Sequence, residues 1–154
     1  MEIIIDGVAY KGTSGDDDFT VSTNLQNITI QGYQGADNVE LQASLTYTRI
    51  WTADDDDLIS IDDSLINSTI GAGAGQDVLT VSSTATVDET KFWGGADDDG
   101  ITIDGSLTNS TLGAGSGSDT LSISSTATVD GSKFWNGPNN DDISVSGSLK
   151  NSRH

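Results

Sequence analysis

Aspartate recurs at Asp17, Asp37, Asp57, Asp77, Asp99, Asp119 and Asp141, each two places before an apolar residue, in steps of 20 or 22. Two carboxylates held close together can divide acid and base roles in glycosidic cleavage. A row of them can instead hold a hard divalent cation, which takes six to eight oxygen ligands from carboxylates and backbone carbonyls. The pattern separates these chemistries. A catalytic pair breaks the symmetry of a chain once, whereas the acidic runs at 54–57 and 97–99 return with the spacing. The one histidine, His154, stands at the far end of the chain, and no nucleophile is paired with a base. The sequence therefore reads as a non-enzyme with an oxygen-donor site for a cation such as calcium.

A column of like charges needs elements that put it there. "STIGAGAGQDVLTVSSTATVD" at 68–88 returns as "STLGAGSGSDTLSISSTATVD" at 110–130, and "KFWGGADDD" at 91–99 returns as "KFWNGPNND" at 133–141, both after 42 residues. Each 42-residue unit divides into two similar halves, giving about seven coils of 20–22 residues. The extra two residues fall in the "SSTAT" segments. Aligned on the aspartate, four columns are apolar in every coil. They begin at Phe19, Val21, Leu25 and Ile30, and end at Ile143, Val145, Leu149 and Phe134. The first two columns have strand spacing and many β-branched side chains. A helix has no such period. The sequence predicts an all-β fold, a parallel β-solenoid (β-roll or β-helix) of right-handed coils, with equivalent side chains stacked ~4.8 Å apart. It forms one domain over 1–154, with 1–14 as an N-terminal cap or first partial coil and 15–154 as repeats, read as a segment of a longer array.

Stacked carboxylates at that spacing repel by ~0.9 kcal/mol per pair in water and by ~3.5 kcal/mol at an effective dielectric near 20. A cation between coils offsets this. The bland alternative is that each aspartate caps its own turn. Two places before the anchors stand Gly15, Gly35, Asp55, Gly75, Asp97, Gly117 and Asn139. These residue types best tolerate positive φ, so this column is expected to be a left-handed turn position.

"AGSGSDTLS" at 114–122 and "AGAGQDVLT" at 72–80 resemble the nonapeptide G-G-x-G-x-D-x-U-x of RTX (hemolysin-type) calcium-binding repeats at all but the first glycine, and "GTSGDDDFT" at 12–20 looks like the opening of such an array. The resemblance implies a β-roll with Ca²⁺ held by the aspartate and by turn carbonyls of successive coils. It implicates Asp77 and Asp119 most strongly, with Gly73, Gly75, Gly115 and Gly117 as turn and carbonyl positions. Asp17, Asp37 and Asp99 follow, then Asp57 and Asp141; Asp55 and Asp97 join the candidate metal set. The family carries a nonapeptide on both sides of a shorter coil, whereas this chain has one per coil. Calcium is therefore expected along one edge, as in some RTX adhesins.

A second constellation lies beside the fourth apolar column. Trp51, Trp93 and Trp135 follow it in alternate coils, with Gly71 and Gly113 between them, while Arg49, Lys91 and Lys133 precede it in the same coils. If Ile50, Phe92 and Phe134 point inward, the tryptophans and cations point out as a stripe. Such a stripe shields backbone, stacks on sugars of an acidic glycan, or packs on a second chain. A third reading, ice binding, needs a regular Thr ladder; the column Thr20, Glu40, Ser60, Thr80, Thr102, Ser122, Ser144 is instead expected to be a solvated strand face. Asn67, Asn109 and Asn151 mark a further turn or hydrogen-bonding position.

The net charge of −18, from 21 Asp and 3 Glu against 6 basic residues, opposes binding to nucleic acid or anionic membranes. With no cysteine, disulfides are not the staple. The chain shows no signal-peptide pattern and no apolar run long enough to span a membrane. An array of modest-affinity calcium sites fills at the millimolar levels found outside cells. The expected function is a calcium-binding structural or adhesive module of a larger extracellular, cell-surface or virion fibre.

Overall fold

The computed structural model describes residues 7–153; residues 1–6 of the expected cap, and His154, lie outside the described residues. Among the described residues the chain is all β, with no helix: three parallel sheets of seven strands each wind into a β-solenoid of about seven turns. One coil contributes a strand to each sheet in turn, for example Thr69–Ala74 in sheet 1, Val78–Val81 in sheet 2 and Thr86–Asp88 in sheet 3. Coils are numbered here by their anchor aspartates, Asp17 to Asp141.

The sequence columns reappear as the pairing register. Leu79 pairs with Ile59 below and Ile101 above, Val87 with Leu65 and Leu107, and Ile70 with Ile50 and Phe92. Tyr10, on the strand Ala9–Lys11, pairs with Ile30 and so heads the fourth column. Alternation along each short strand sends one set of side chains into a shared interior. Phe19, Ile30, Ile50, Ile61, Val87, Phe92 and Val129 are essentially inaccessible there. At the C-terminal end the same columns are open: Ile143, Val145 and Leu149 are exposed and line a cavity with Leu121, Ile123 and Phe134.

The corners decide where chemistry can sit. Between sheets 3 and 1 every coil turns through one left-handed residue: Asn27, Tyr47, Asn67, Glu89, Asn109, Gly131 and Asn151, with φ between 48° and 65°. The next residue points inward, and from coil to coil its hydroxyl accepts the amide of its counterpart. Thr48 N donates to Ser68 Oγ at 3.0 Å, Thr90 N to Ser110 Oγ at 3.1 Å and Ser110 N to Ser132 Oγ at 3.1 Å. This ladder satisfies amides that the sharp turn removes from the sheets. Asn109 and Asn151 also donate side-chain hydrogen bonds to Asp88 and Asp130. Where two residues are added, the chain closes an extra turn, Ala85 N to Ser82 O and Ala127 N to Ser124 O.

Candidate metal corner and aromatic face

The anchor aspartates occupy the corner between sheets 1 and 2, and they stack. Each points inward. Asp37, Asp57, Asp77, Asp99 and Asp119 are only 1–4% exposed. Their Oδ1 atoms do one uniform job, accepting the anchor amide of the preceding coil. Asp17 N donates to Asp37 at 2.9 Å, Asp37 N to Asp57 at 2.7 Å, Asp57 N to Asp77 at 2.9 Å, Asp77 N to Asp99 at 3.0 Å and Asp99 N to Asp119 at 2.9 Å. Asp119 N continues the row to Asp141 at 3.1 Å. The capping expected within each turn therefore runs between coils, by the same device as the hydroxyl ladder. Only Asp17 caps its own turn, accepting from Thr13 N and Oγ1.

The second oxygen of each buried carboxylate has no such role. Oδ2 of Asp37, Asp77, Asp99 and Asp119 is buried and without a hydrogen-bond partner, whereas the Asp57 carboxylate, equally buried, has the Thr52 hydroxyl beside it to favour its charged form. Desolvation raises their proton affinity, neighbouring carboxylates add to it, and the accepted amide opposes it. Asp37 and Asp99 are pushed up to about 6 and Asp77 to about 7; Asp57 and Asp119 are raised as well.

The turn backbone is shaped around this row. Left-handed φ occurs two places before the anchor at Gly35, Asp55, Gly75, Asp97, Gly117 and Asn139, but not at Gly15. It also occurs four places before the anchor, at Tyr33, Ala53, Gly73, Gly95, Gly115 and Gly137, a column that side-chain type hides because Tyr and Ala stand in it. A Cβ on Gly75 or Gly117 would strike the carbonyl of Asp55 or Asp97 in the coil below. These glycines thus bring coils close enough for stacked turn carbonyls to face the next coil. Asp55 Oδ2 accepts Gly35 N at 2.9 Å, and the acidic neighbours Asp16, Asp56 and Asp98 accept the amides of Ala36, Gln76 and Ser118.

A cation at this corner meets only oxygen donors, the chemistry a hard ion requires. Among the described residues no three acidic side chains converge on one point. A bound ion would therefore draw on the orphaned Oδ2 atoms and on backbone carbonyls. Space beside Oδ2 depends on the residue five places before the anchor. At Gly12, Gly32 and Gly94 a Cβ would fall against both the Oδ2 of the same coil and the next coil's carbonyl, from Gly32, Thr52 and Ala114 respectively. The equivalent positions in other coils carry Thr52, Ala72, Ala114 and Asn136. Beside Gly94 lies a cavity of about 20 Å³ whose lining is mostly apolar, with Ile59, Ile70, Leu79, Phe92 and Ile101 around it and the Asp77 and Asp99 carboxyls at its wall. Oδ2 is therefore packed closely against the next coil's carbonyl at Asp17, Asp37 and Asp99; Asp99 adjoins the cavity, while Asp17 Oδ2 already accepts from Thr13.

On the outside of sheet 1 the predicted stripe is present. Trp51, Trp93 and Trp135 are 42, 44 and 61% exposed, and Gly71 and Gly113 lie between them in register. The Cε3–Cζ3 edge of Trp51 rests where a Gly71 side chain would be, and Trp93 sits likewise on Gly113. Arg49, Lys91 and Lys133 are exposed in the adjoining column, separated by Thr69 and Thr111. Among the described residues none of the three has a carboxylate within 4 Å, and the one ion pair is Lys150 with Asp130.

No family model, no curated protein and no solved structure matches this chain. The functional reading therefore rests on these two constellations.

Proposed function

We propose that this chain is a calcium-binding structural and adhesive β-solenoid module of a larger extracellular or virion fibre protein. One observation carries the reading: four stacked aspartates, Asp37, Asp77, Asp99 and Asp119, each bury an oxygen without a hydrogen-bond partner. An unpaired buried charge is strongly destabilising, and a divalent ion removes that cost without disturbing the Oδ1 capping row. Oδ2 of the anchor aspartates and the turn carbonyls would hold it, and its charge would offset the carboxylates and tie successive coils together. The recurrence of the acidic runs with the repeat favours a structural over an enzymatic role.

Thermal melting of the whole chain in calcium, in magnesium and in EDTA tests this. A site saturated a hundredfold above its dissociation constant adds about 2.7 kcal/mol, so calcium raises the melting temperature while magnesium does so far less. Identical melting in calcium and EDTA removes the proposal.

The sheet 1 stripe favours a second reading, a carbohydrate-binding module for an acidic glycan. Its support is the combination of half-exposed indoles with cations that, among the described residues, no carboxylate pairs with.

A further inference from the structure

The two-coil alternation gives the outer face of sheet 1 a stoichiometry. Every second coil presents one indole and one cation, Trp51 with Arg49, Trp93 with Lys91 and Trp135 with Lys133, while intervening coils present Gly and Thr. The step between equivalent groups is two strand spacings, about 9.6 Å. The Trp51 and Trp93 rings each rest an edge on the glycine of the next coil, and all three indoles stay partly exposed beside the cation column. A parallel sheet keeps these groups in line along the rod. The face is also an island of positive charge on a chain of net charge −18.

We infer that this face binds an extended polysaccharide bearing one carboxylate per disaccharide, laid along the rod axis. In such a chain two pyranose rings span close to the two-coil step. One apolar sugar face per repeat stacks on an indole, and one uronate per repeat meets Arg49, Lys91 or Lys133. A neutral chain leaves the cations unused; a carboxylate on every sugar brings twice as many charges as there are cations to meet them. The inference rests on the glycan-binding reading above and adds the ligand's charge period.

The test titrates the full chain, at fixed calcium, with a hyaluronan hexasaccharide (one carboxylate per disaccharide) and with neutral cellohexaose, read by tryptophan fluorescence and calorimetry. Hyaluronan is expected to bind more tightly, and more weakly as salt rises. The Arg49→Gln/Lys91→Gln/Lys133→Gln variant is expected to lose at least tenfold toward hyaluronan and nothing toward cellohexaose. Trp51→Ala/Trp93→Ala/Trp135→Ala is expected to lose binding to both. If that variant does not fold, Trp135→Ala alone, in the last coil, serves in its place with a partial loss. Equal affinity for the two glycans, unmoved by the cation variant, overturns the charge assignment and leaves glycan binding standing. No binding to either glycan ends both.

Discussion

Replacing Asp99 by asparagine isolates the energetic consequence of one orphaned carboxylate oxygen. Asparagine keeps an Oδ1 to accept Asp77 N, now bonded at 3.0 Å. Its new amide replaces the unpaired Oδ2 and faces the Ala114 carbonyl and the adjoining cavity of about 20 Å³. Burial pushes the native Asp99 carboxyl up to about 6 from its ordinary 3.8. Between those two values the folded protein holds a proton that the unfolded chain has released. Stability from this group is therefore complete below the window and lost as pH rises through 6. Two pH units correspond to roughly 3 kcal/mol. In EDTA at pH 8, Asp99→Asn is accordingly more stable than the parent by up to that amount, or roughly 6–12 °C in melting temperature. At pH 4 the two converge. Denaturant melts across pH 4 to 8 give the comparison. An Asp99→Asn variant equally destabilised at both ends of the range would refute the burial argument.

Five further outcomes follow from these contacts. Calcium stabilises the parent at pH 8 but stabilises Asp99→Asn less, since one donor oxygen is gone; calorimetric titration reads the difference. Gly117→Ala, which forces a side chain onto the Asp97 carbonyl at a left-handed φ, costs about 2 kcal/mol or more in equilibrium melts. Gly15→Ala, with nothing within 4 Å of the added carbon, stays within about 0.5 kcal/mol. Ser110→Ala leaves Thr90 N and the Thr108 carbonyl without their hydroxyl partner and costs about 1–3 kcal/mol by chemical denaturation. Finally, Gly71→Ala destabilises the parent, where Trp51 covers that position, and is tolerated in a Trp51→Ala background, a coupling that a double-mutant cycle measures.

The period and the inward columns were legible because stacking repeats the same side chain requirement every 20–22 residues, and Leu79, Val87 and Ile70 obey it in register. The tryptophan stripe was legible for the same reason, since a residue next to an inward Phe92 must face out. Hydrogen bonding was not. In a solenoid the partner of an amide lies one coil away, so the rule that aspartate caps its own turn pointed to the wrong acceptor, and Asp77 instead serves Asp57 N. The hydroxyl ladder through Ser68, Thr90 and Ser110 was hidden because Ser and Thr are equally common on solvated faces. The left-handed corner through Tyr47 and Glu89 was masked by residue types that seldom take that conformation, held there by the neighbouring coils. One signal was available and unused: the extra acids Asp16, Asp56 and Asp98 fall in alternate coils, opposite the Ala36, Gln76 and Ser118 amides they accept.

Diffraction from crystals grown with abundant calcium examines the metal corner most directly. Strong peaks are expected between coils beside Oδ2 of the buried aspartates, first at Asp99, where a cavity adjoins the carboxylate. Clear density for those side chains with no ion beside them would contradict the calcium reading.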